Sequence, residues 1–131
     1  MKIEDNGYMD QNKVILIVDD DQRNIFALRL TLKAKGYQVL SSTNAHEAIR
    51  LLETNQDIVL VLMDMMMPEI DGYEAIRLIR NSSFIDRLPV IAVTAQAMSG
   101  DREKCLDAGA QSYVSKPIDV DKLMGEIERL I

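Results

Sequence analysis

The stretch that decides the fold is LVLMDMMMP, residues 60–68, where Asp64 interrupts the most apolar run in the chain. A buried carboxylate without partners costs several kcal/mol or takes up a proton. We therefore expect Asp64 to lie at the edge of an apolar layer, beside groups that neutralise its charge. The segments on either side of this stretch indicate where that edge is.

Short apolar segments alternate along the chain with segments that have helical periodicity. The first of them, VILIV at 14–18, is short, apolar and rich in β-branched residues, which is typical of a strand buried on both faces. The predicted strands are residues 14–18, 37–41, 58–63, 90–93 and 112–114. Strands separated by single helices predict an α/β fold, a doubly wound parallel sheet of five strands in the flavodoxin-like order 2-1-3-4-5.

The helices between these strands have recognisable start signals. Asn44 and Glu47 have the spacing of a capping box, and Ser99 and Asp119 are candidate caps for the last two helices. The predicted inward stripe of the last helix is Val120, Leu123, Ile127 and Leu130.

The bulk composition limits the kinds of partner. The 131 residues suit one domain, which we assign to residues 13–131 after a flexible polar lead-in, residues 1–12. The net charge of −6 disfavours binding to nucleic acid or to an anionic membrane surface. Cys105 is the lone cysteine, so no internal disulfide forms, which fits a reducing compartment and predicts a cytoplasmic location.

Polar side chains follow the predicted strands at the points where these strands end. Asp19 and Asp20 follow the first strand, Asp64 ends the third, Thr94 the fourth, and Lys116 lies just past the fifth. Ligands of such sheets bind beyond the carboxyl ends of the strands. In the order 2-1-3-4-5 the first and third strands are neighbours, so we expect the three carboxylates to converge.

Three carboxylates at one point need compensation, and a hard divalent cation such as Mg²⁺ supplies it with oxygen ligands. Lys116 adds a second positive charge and Thr94 a hydroxyl donor. This set suits the placement and stabilisation of a phosphoryl group, with Asp64 as the nucleophile.

Four ordered motifs carry a resemblance that covers nearly the whole chain: ILIVDDD at 15–21, LVLMDMMMPEIDG at 60–72, VIAVTA at 90–95 and YVSKP at 113–117. At these residues the chain resembles the receiver domains of two-component response regulators. The sequence of residues 19–28, 97–110 and 115–123 is most similar to that of receiver domains in hybrid sensor histidine kinases.

The resemblance implies a phosphoacceptor signalling switch rather than an enzyme. It implies that Asp64 accepts phosphate from a phosphohistidine on a histidine kinase or a histidine phosphotransfer protein. It further implies that Asp20, Asp64 and the backbone carbonyl of Met66 ligate Mg²⁺, while Asp19 acts through water.

Four other residues take roles by the same resemblance. Thr94 and Lys116 are implied to contact the phosphoryl oxygens. Tyr113 resembles the aromatic switch residue of the family, which moves inward as Thr94 is drawn to the phosphate. Pro117 resembles a proline whose preceding peptide bond is cis.

Three other functions compete with the phosphoacceptor switch as interpretations of these residues. A metal-dependent phosphatase with an aspartyl nucleophile usually has a second acid two residues later, where this chain has Met66. A flavin carrier on this fold needs a loop rich in Ser, Thr and Gly after the first strand, but DDDQRN at 19–24 would repel phosphate. A receiver that only docks would not need Asp64, Thr94 and Lys116 together.

The first predicted helix has more apolar residues than one core stripe needs. Ile25, Leu28 and Leu32 share one side, while Phe26 and Leu30 fall together on another. One interpretation is a broad face packed in a groove of the sheet. The other is that Phe26, with Ile25 at the end nearest the site, helps to dock the phosphohistidine partner. A dimer through the last helix and its neighbours is a further expectation.

Overall fold

The five predicted strand segments form a single parallel sheet. Its three central strands are apolar, rich in β-branched residues and buried almost throughout, whereas the two edge strands are more polar and partly exposed. The computed structural model describes residues 13–67, 71–82, 85, 87–95 and 100–131. The predicted lead-in, residues 1–12, lies outside the described residues. The strands are Val14–Val18 (β1), Gln38–Ser42 (β2), Ile58–Asp64 (β3), Val90–Thr94 (β4) and Ser112–Ser115 (β5).

The strand order is β2-β1-β3-β4-β5, and every neighbouring pair is parallel. The predicted fold class and strand order are therefore confirmed. Val18 pairs with Met63, Met63 with Ala92, and Ala92 with Tyr113. This register aligns the carboxyl ends of four strands, so the residues that follow them meet at one edge.

The helices connect the strands on both sides of the sheet. They are Gln22–Ala34 (α1), Ala45–Thr54 (α2), Gly72–Arg80 (α3), Asp101–Ala108 (α4) and Val120–Leu130 (α5). None of the helices within the described ranges is long and apolar enough to cross a membrane.

Helix starts follow the side chains that can accept hydrogen bonds from free backbone amides. The N-cap side chains of α1, α2, α3 and α5 each accept such a bond, and they are Asp21, Asn44, Asp71 and Asp119. Helix α4 is the exception: its N-cap is Gly100, which makes no side-chain hydrogen bond. The predicted cap, Ser99, lies outside the described residues.

Alternate residues of the buried strands point to two separate cores. One core joins Leu16 and Val18 of β1 to α2, α3 and α4, while the other joins Ile15 and Ile17 to α1 and α5. In α5 the predicted stripe is wrong at Val120, which is 41% exposed, and the core takes in Leu123, Met124 and Ile127. Val120 begins the helix beside the groove described below.

Candidate functional site

The ends of β1 and β3 bring three carboxyl groups together. Asp19 directly follows β1, and Asp64 is the last residue of β3, the strand that pairs with β1. Carboxylate oxygens of Asp19, Asp20 and Asp64 all lie within 4.8 Å of one another. The convergence expected from the strand order is therefore present.

The burial of this acidic cluster makes its charge costly. Asp19 and Asp64 are each only 4% exposed, while Asp20 faces solvent. Like charges at this separation repel one another, and burial weakens the screening by water. The cluster therefore needs positive charge in or beside it.

Lys116 supplies part of this charge from the segment after β5. Its Nζ lies 3.7 Å from Asp64 Oδ1 and 3.7 Å from Asp19 Oδ2. The backbone N–H of Lys116 donates to the carbonyl of Thr94 at 2.8 Å, which fixes this segment against the end of β4. One lysine thus faces two carboxylates, so the three acids keep a surplus of negative charge.

The Asp64 carboxyl group is held by its own loop. The backbone N–H of Met66 donates to Asp64 Oδ1 at 3.1 Å. Burial, together with the negative charge of Asp19, raises the pKa of Asp64, and the Met66 amide and Lys116 oppose this rise. Asp64 is therefore a carboxylate whose ionised form gains strongly from any added cation.

Asp19 is fixed by contacts that the sequence patterns did not reveal. The backbone N–H of Asp21 donates to Asp19 Oδ1 at 2.8 Å, and Asn24 Nδ2 lies 3.4 Å from Asp19 Oδ2. Asn24 is thus a site residue that sequence reasoning missed. Asn24 could have been predicted from its position in the first turn of the first helix, directly after the acidic residues.

The donor set fits a magnesium ion. Mg²⁺ prefers hard oxygen ligands and is usually held by one or two carboxylates with several waters. Asp20 and Asp64 offer such oxygens, and the surplus negative charge of the cluster is the physical reason for a cation to bind there. The third expected ligand is the backbone carbonyl of Met66. This residue lies two positions after Asp64, beyond the end of β3, and is half exposed.

The remaining predicted residues lie on β4 and β5. Thr94 is buried at the end of β4, and its neighbour in the sheet is Ser115. The hydroxyl of Tyr113 donates to Asp101 Oδ2 at 3.3 Å. The peptide bond between Lys116 and Pro117 is cis, as the resemblance implied.

Gly72 allows helix α3 to start close to the end of β3. A Cβ atom at this position would lie 2.7 Å from the Cα of Met65 and 2.9 Å from the carbonyl oxygen of Asp64. Real Cβ atoms do not approach backbone so closely, so only glycine fits. Gly72 thereby helps to set the position of Asp64.

The two residues predicted to dock a partner lie in different environments. Phe26 is 60% exposed on α1, and Leu30, one turn on, is 57% exposed. Ile25 is only 2% exposed and packs in the core between α1 and the sheet. Its side chain is therefore not accessible to a partner, so of the two predicted docking residues only Phe26 belongs to the docking surface proposed below.

Comparison with known proteins agrees with this architecture. A family model described as a response regulator receiver domain matches residues 15–128. The polar-differentiation response regulator DivK of Brucella anthropi is 35% identical over 116 residues, which are 88% of this chain and 94% of that protein.

Solved structures give the same match. One is the receiver domain of the sensor histidine kinase PA1611 from Pseudomonas aeruginosa PAO1, with a magnesium ion coordinated in its active site cleft. It has a TM-score of 0.81 and 37% identity and covers 90% of this chain and 96% of that one. The signal receiver domain of a signal transduction histidine kinase from Syntrophus aciditrophicus has a TM-score of 0.81 and 31% identity, over 90% of this chain and 89% of that one. Because the family model and these relatives span most of its length, the chain belongs to the response regulator receiver domain family.

Proposed function

We propose that this chain is a phosphoacceptor switch of two-component signalling, in which Asp64 takes a phosphoryl group from a partner phosphohistidine. The partner is a histidine kinase or a histidine phosphotransfer protein. The observation that carries the proposal is the placement of Asp64. It is a nearly buried carboxylate with Lys116 Nζ at 3.7 Å and the oxygens of Asp19 and Asp20 within 4.8 Å.

In the proposed reaction an Asp64 carboxylate oxygen forms a bond to phosphorus as the phosphorus–nitrogen bond of phosphohistidine breaks. The bonding pair stays on the imidazole nitrogen, which takes up a proton when it leaves. Lys116 neutralises charge on the transferred oxygens, and the Thr94 hydroxyl donates a hydrogen bond to one of them. Tyr113 then responds to the movement of Thr94.

A bound Mg²⁺ would supply positive charge to the phosphoryl oxygens during the transfer. Asp20, Asp64 and the carbonyl of Met66 would hold it, and Asp19 would act through a water molecule. The surplus negative charge of the cluster supports this part of the proposal. The magnesium ion described in the cleft of the PA1611 receiver domain supports it as well.

The test is the intact mass of the protein after incubation with a small phosphodonor and Mg²⁺. We expect a gain of roughly 80 Da, one phosphoryl group, in the wild type. The Asp64→Asn variant should show no gain, because an amide is not a nucleophile of this kind. An equal gain in both proteins would refute Asp64 as the acceptor, and no gain in either would refute the proposed function.

The proposed docking surface is the exposed apolar pair Phe26 and Leu30 on α1, and a separate groove flanks another side of the same helix. This groove has a volume of about 320 Å³ and lies between α1 and the segment that joins β5 to α5. Asp19 and Lys116 line one part of it and Val120 another. A partner that brings phosphohistidine to Asp64 would pass this surface, since α1 begins directly after the acidic cluster.

Two donors separate docking from chemistry. Phe26→Ala should slow transfer from a phosphorylated protein donor about tenfold, the loss of one well-packed aromatic contact. Its phosphorylation by a small donor and its melting temperature should stay unchanged, because Phe26 is exposed. Ile131→Ala is the matched control, an exposed apolar residue that follows the far end of α5. Equal transfer rates in both variants would locate the docking surface elsewhere.

Location and assembly complete the proposal. We place the chain in the cytoplasm, where a reduced Cys105 and phosphorylated kinase are both available.

A dimer through α5 and its neighbours is proposed from the exposure of Val120. Sedimentation before and after phosphorylation measures it, and an unchanged monomer in both states would contradict it.

A further inference from the structure

Helix α4 is attached to the rest of the domain by little apolar surface. Its buried residues are Asp101, Cys105 and Ala108, so the apolar part consists of two small side chains. The neighbouring helix α3 buries Ala75, Ile76 and Ile79. Since stabilisation by burial scales with apolar area, α4 depends on polar contacts more than α3 does.

Asp101 makes these polar contacts at the start of the helix. It is only 8% exposed, and its carboxyl group accepts two hydrogen bonds from tyrosine hydroxyls. Tyr73 on α3 donates to Oδ1 at 2.8 Å, and Tyr113 on β5 donates to Oδ2 at 3.3 Å. Burial and the nearby Asp101 raise the pKa of both tyrosines, so both hydroxyls keep the proton that they donate.

Both tyrosines are close in the chain to residues of the phosphorylation site. Tyr113 lies on β5 and precedes Lys116, which follows the end of that strand, by three residues. Tyr73 follows Gly72, whose N–H donates to the carbonyl of Met65 at 3.4 Å, directly after Asp64. A displacement at either place therefore reaches Asp101 through a few residues of backbone.

We propose that Asp101 is a positioning residue of the switch. Its carboxyl group accepts hydrogen bonds from both Tyr73 and Tyr113, and these bonds hold α4 in a fixed position against α3 and β5. Phosphorylation of Asp64 acts on α4 through these two hydrogen bonds. This inference rests on the proposed function for its second half. The anchoring of α4 by Asp101 stands on geometry alone.

The first experiment measures hydrogen exchange of the backbone amides of α4. In Asp101→Ala these amides should exchange at least about tenfold faster than in the wild type, while the amides of α2 keep their rates. The double variant Tyr73→Phe/Tyr113→Phe should also accelerate exchange in α4, because it removes both hydroxyl donors. Asp101→Asn retains one oxygen acceptor and should give an intermediate rate.

The matched control is Glu103→Ala. Glu103 is an exposed acid in the same first turn of α4, so its loss removes a comparable interaction with the helix dipole without touching the tyrosines. Exchange in α4 that is unchanged by Asp101→Ala, or accelerated equally by Glu103→Ala, would overturn the anchoring. If Asp101→Ala does not fold, the same comparison is made with Asp101→Asn and the double tyrosine variant.

The second experiment adds Mg²⁺ and beryllofluoride, an analogue of the phosphoryl group on a carboxylate. In the wild type we expect amide signals of both Lys116 and α4 to change. In Asp101→Ala the change at Lys116 should persist while the change in α4 falls to less than about half. An equal response of α4 in both proteins would overturn the coupling.

The two experiments separate this inference from the proposed function. If the wild type does not respond to the analogue even at Lys116, the proposed function fails and the coupling to phosphorylation fails with it. The exchange rates measured without the analogue still decide whether Asp101 holds α4.

Discussion

Replacing Asp20 by Asn tests whether the acidic cluster is built for a cation. Asp20 is the exposed member of the three carboxylates, whose oxygens lie within 4.8 Å of one another. The substitution keeps the size of the side chain and removes one negative charge. It should therefore have opposite effects on stability with and without Mg²⁺.

Without Mg²⁺ the variant should be more stable than the wild type. Asp20 is exposed and repels the two buried carboxylates, and each such pair, screened by water on one side, costs on the order of 0.5 kcal/mol, so the gain is about 1 kcal/mol. With Mg²⁺ at about ten times its Kd, linkage stabilises the wild type by roughly 1.4 kcal/mol. The variant should lose most of this gain, because a neutral amide oxygen is a poorer ligand for Mg²⁺ than a carboxylate.

Thermal melts of both proteins with and without Mg²⁺ measure the effect. For a domain of this size 1 kcal/mol corresponds to roughly 3–5 °C in Tm. Without metal the Tm of the variant should thus be a few degrees above that of the wild type, and this difference should disappear when Mg²⁺ is added. Asp21→Asn is the matched control: Asp21 caps α1 through the N–H of Arg23, so this variant should keep the Mg²⁺ response. A Mg²⁺ response that Asp20→Asn leaves unchanged would refute Asp20 as a ligand.

Four further substitutions test the charge of Asp64 and the close packing at Gly72, with two glycines outside the site for comparison. Burial raises the pKa of Asp64 above its ordinary value of 3.8, so the folded wild type loses stability as pH rises through the range above that value. Asp64→Asn should therefore gain stability over the wild type, without Mg²⁺, as pH rises above about 4 in urea denaturation at each pH; a difference that shrinks with rising pH would contradict this sign. Gly72→Ala should cost about 1–3 kcal/mol and slow phosphorylation by a small donor, since its Cβ would lie 2.7 Å from the Cα of Met65. Gly109→Ala should cost about 1–3 kcal/mol without slowing that reaction, because Gly109 has φ +120° and lies away from the acidic cluster. Gly125→Ala is the control for both in urea denaturation: a Cβ there meets no atom within 4 Å, so it should stabilise by about 0.5–1 kcal/mol, and an equal loss in all three variants would refute the steric reasoning.

The sequence by itself determined the sheet and the edge at which the site lies. Strand-forming segments of four to seven residues, the central ones strongly apolar, alternate with helical segments, and this local pattern decides which segments become strands. Because parallel strands end at one edge, the chain positions of Asp19, Asp64, Thr94 and Lys116 were enough to predict that they would meet. The boundaries differed from prediction by one residue or so, as in β2, which runs from Gln38 to Ser42.

Only the tertiary structure decided which residues away from this edge are buried, and by what. Val120 has the right spacing for the core, yet it is exposed, because the first turn of α5 lies beside an open groove. Asp101 is a charged residue in a polar helix, and it is buried by tyrosines 28 and 12 residues away in the chain. No local pattern encodes such a contact, since it depends on how α3, α4 and β5 pack. Hydrophobic periodicity is a property of neighbours in sequence, whereas the partners of a buried polar group are chosen by neighbours in space.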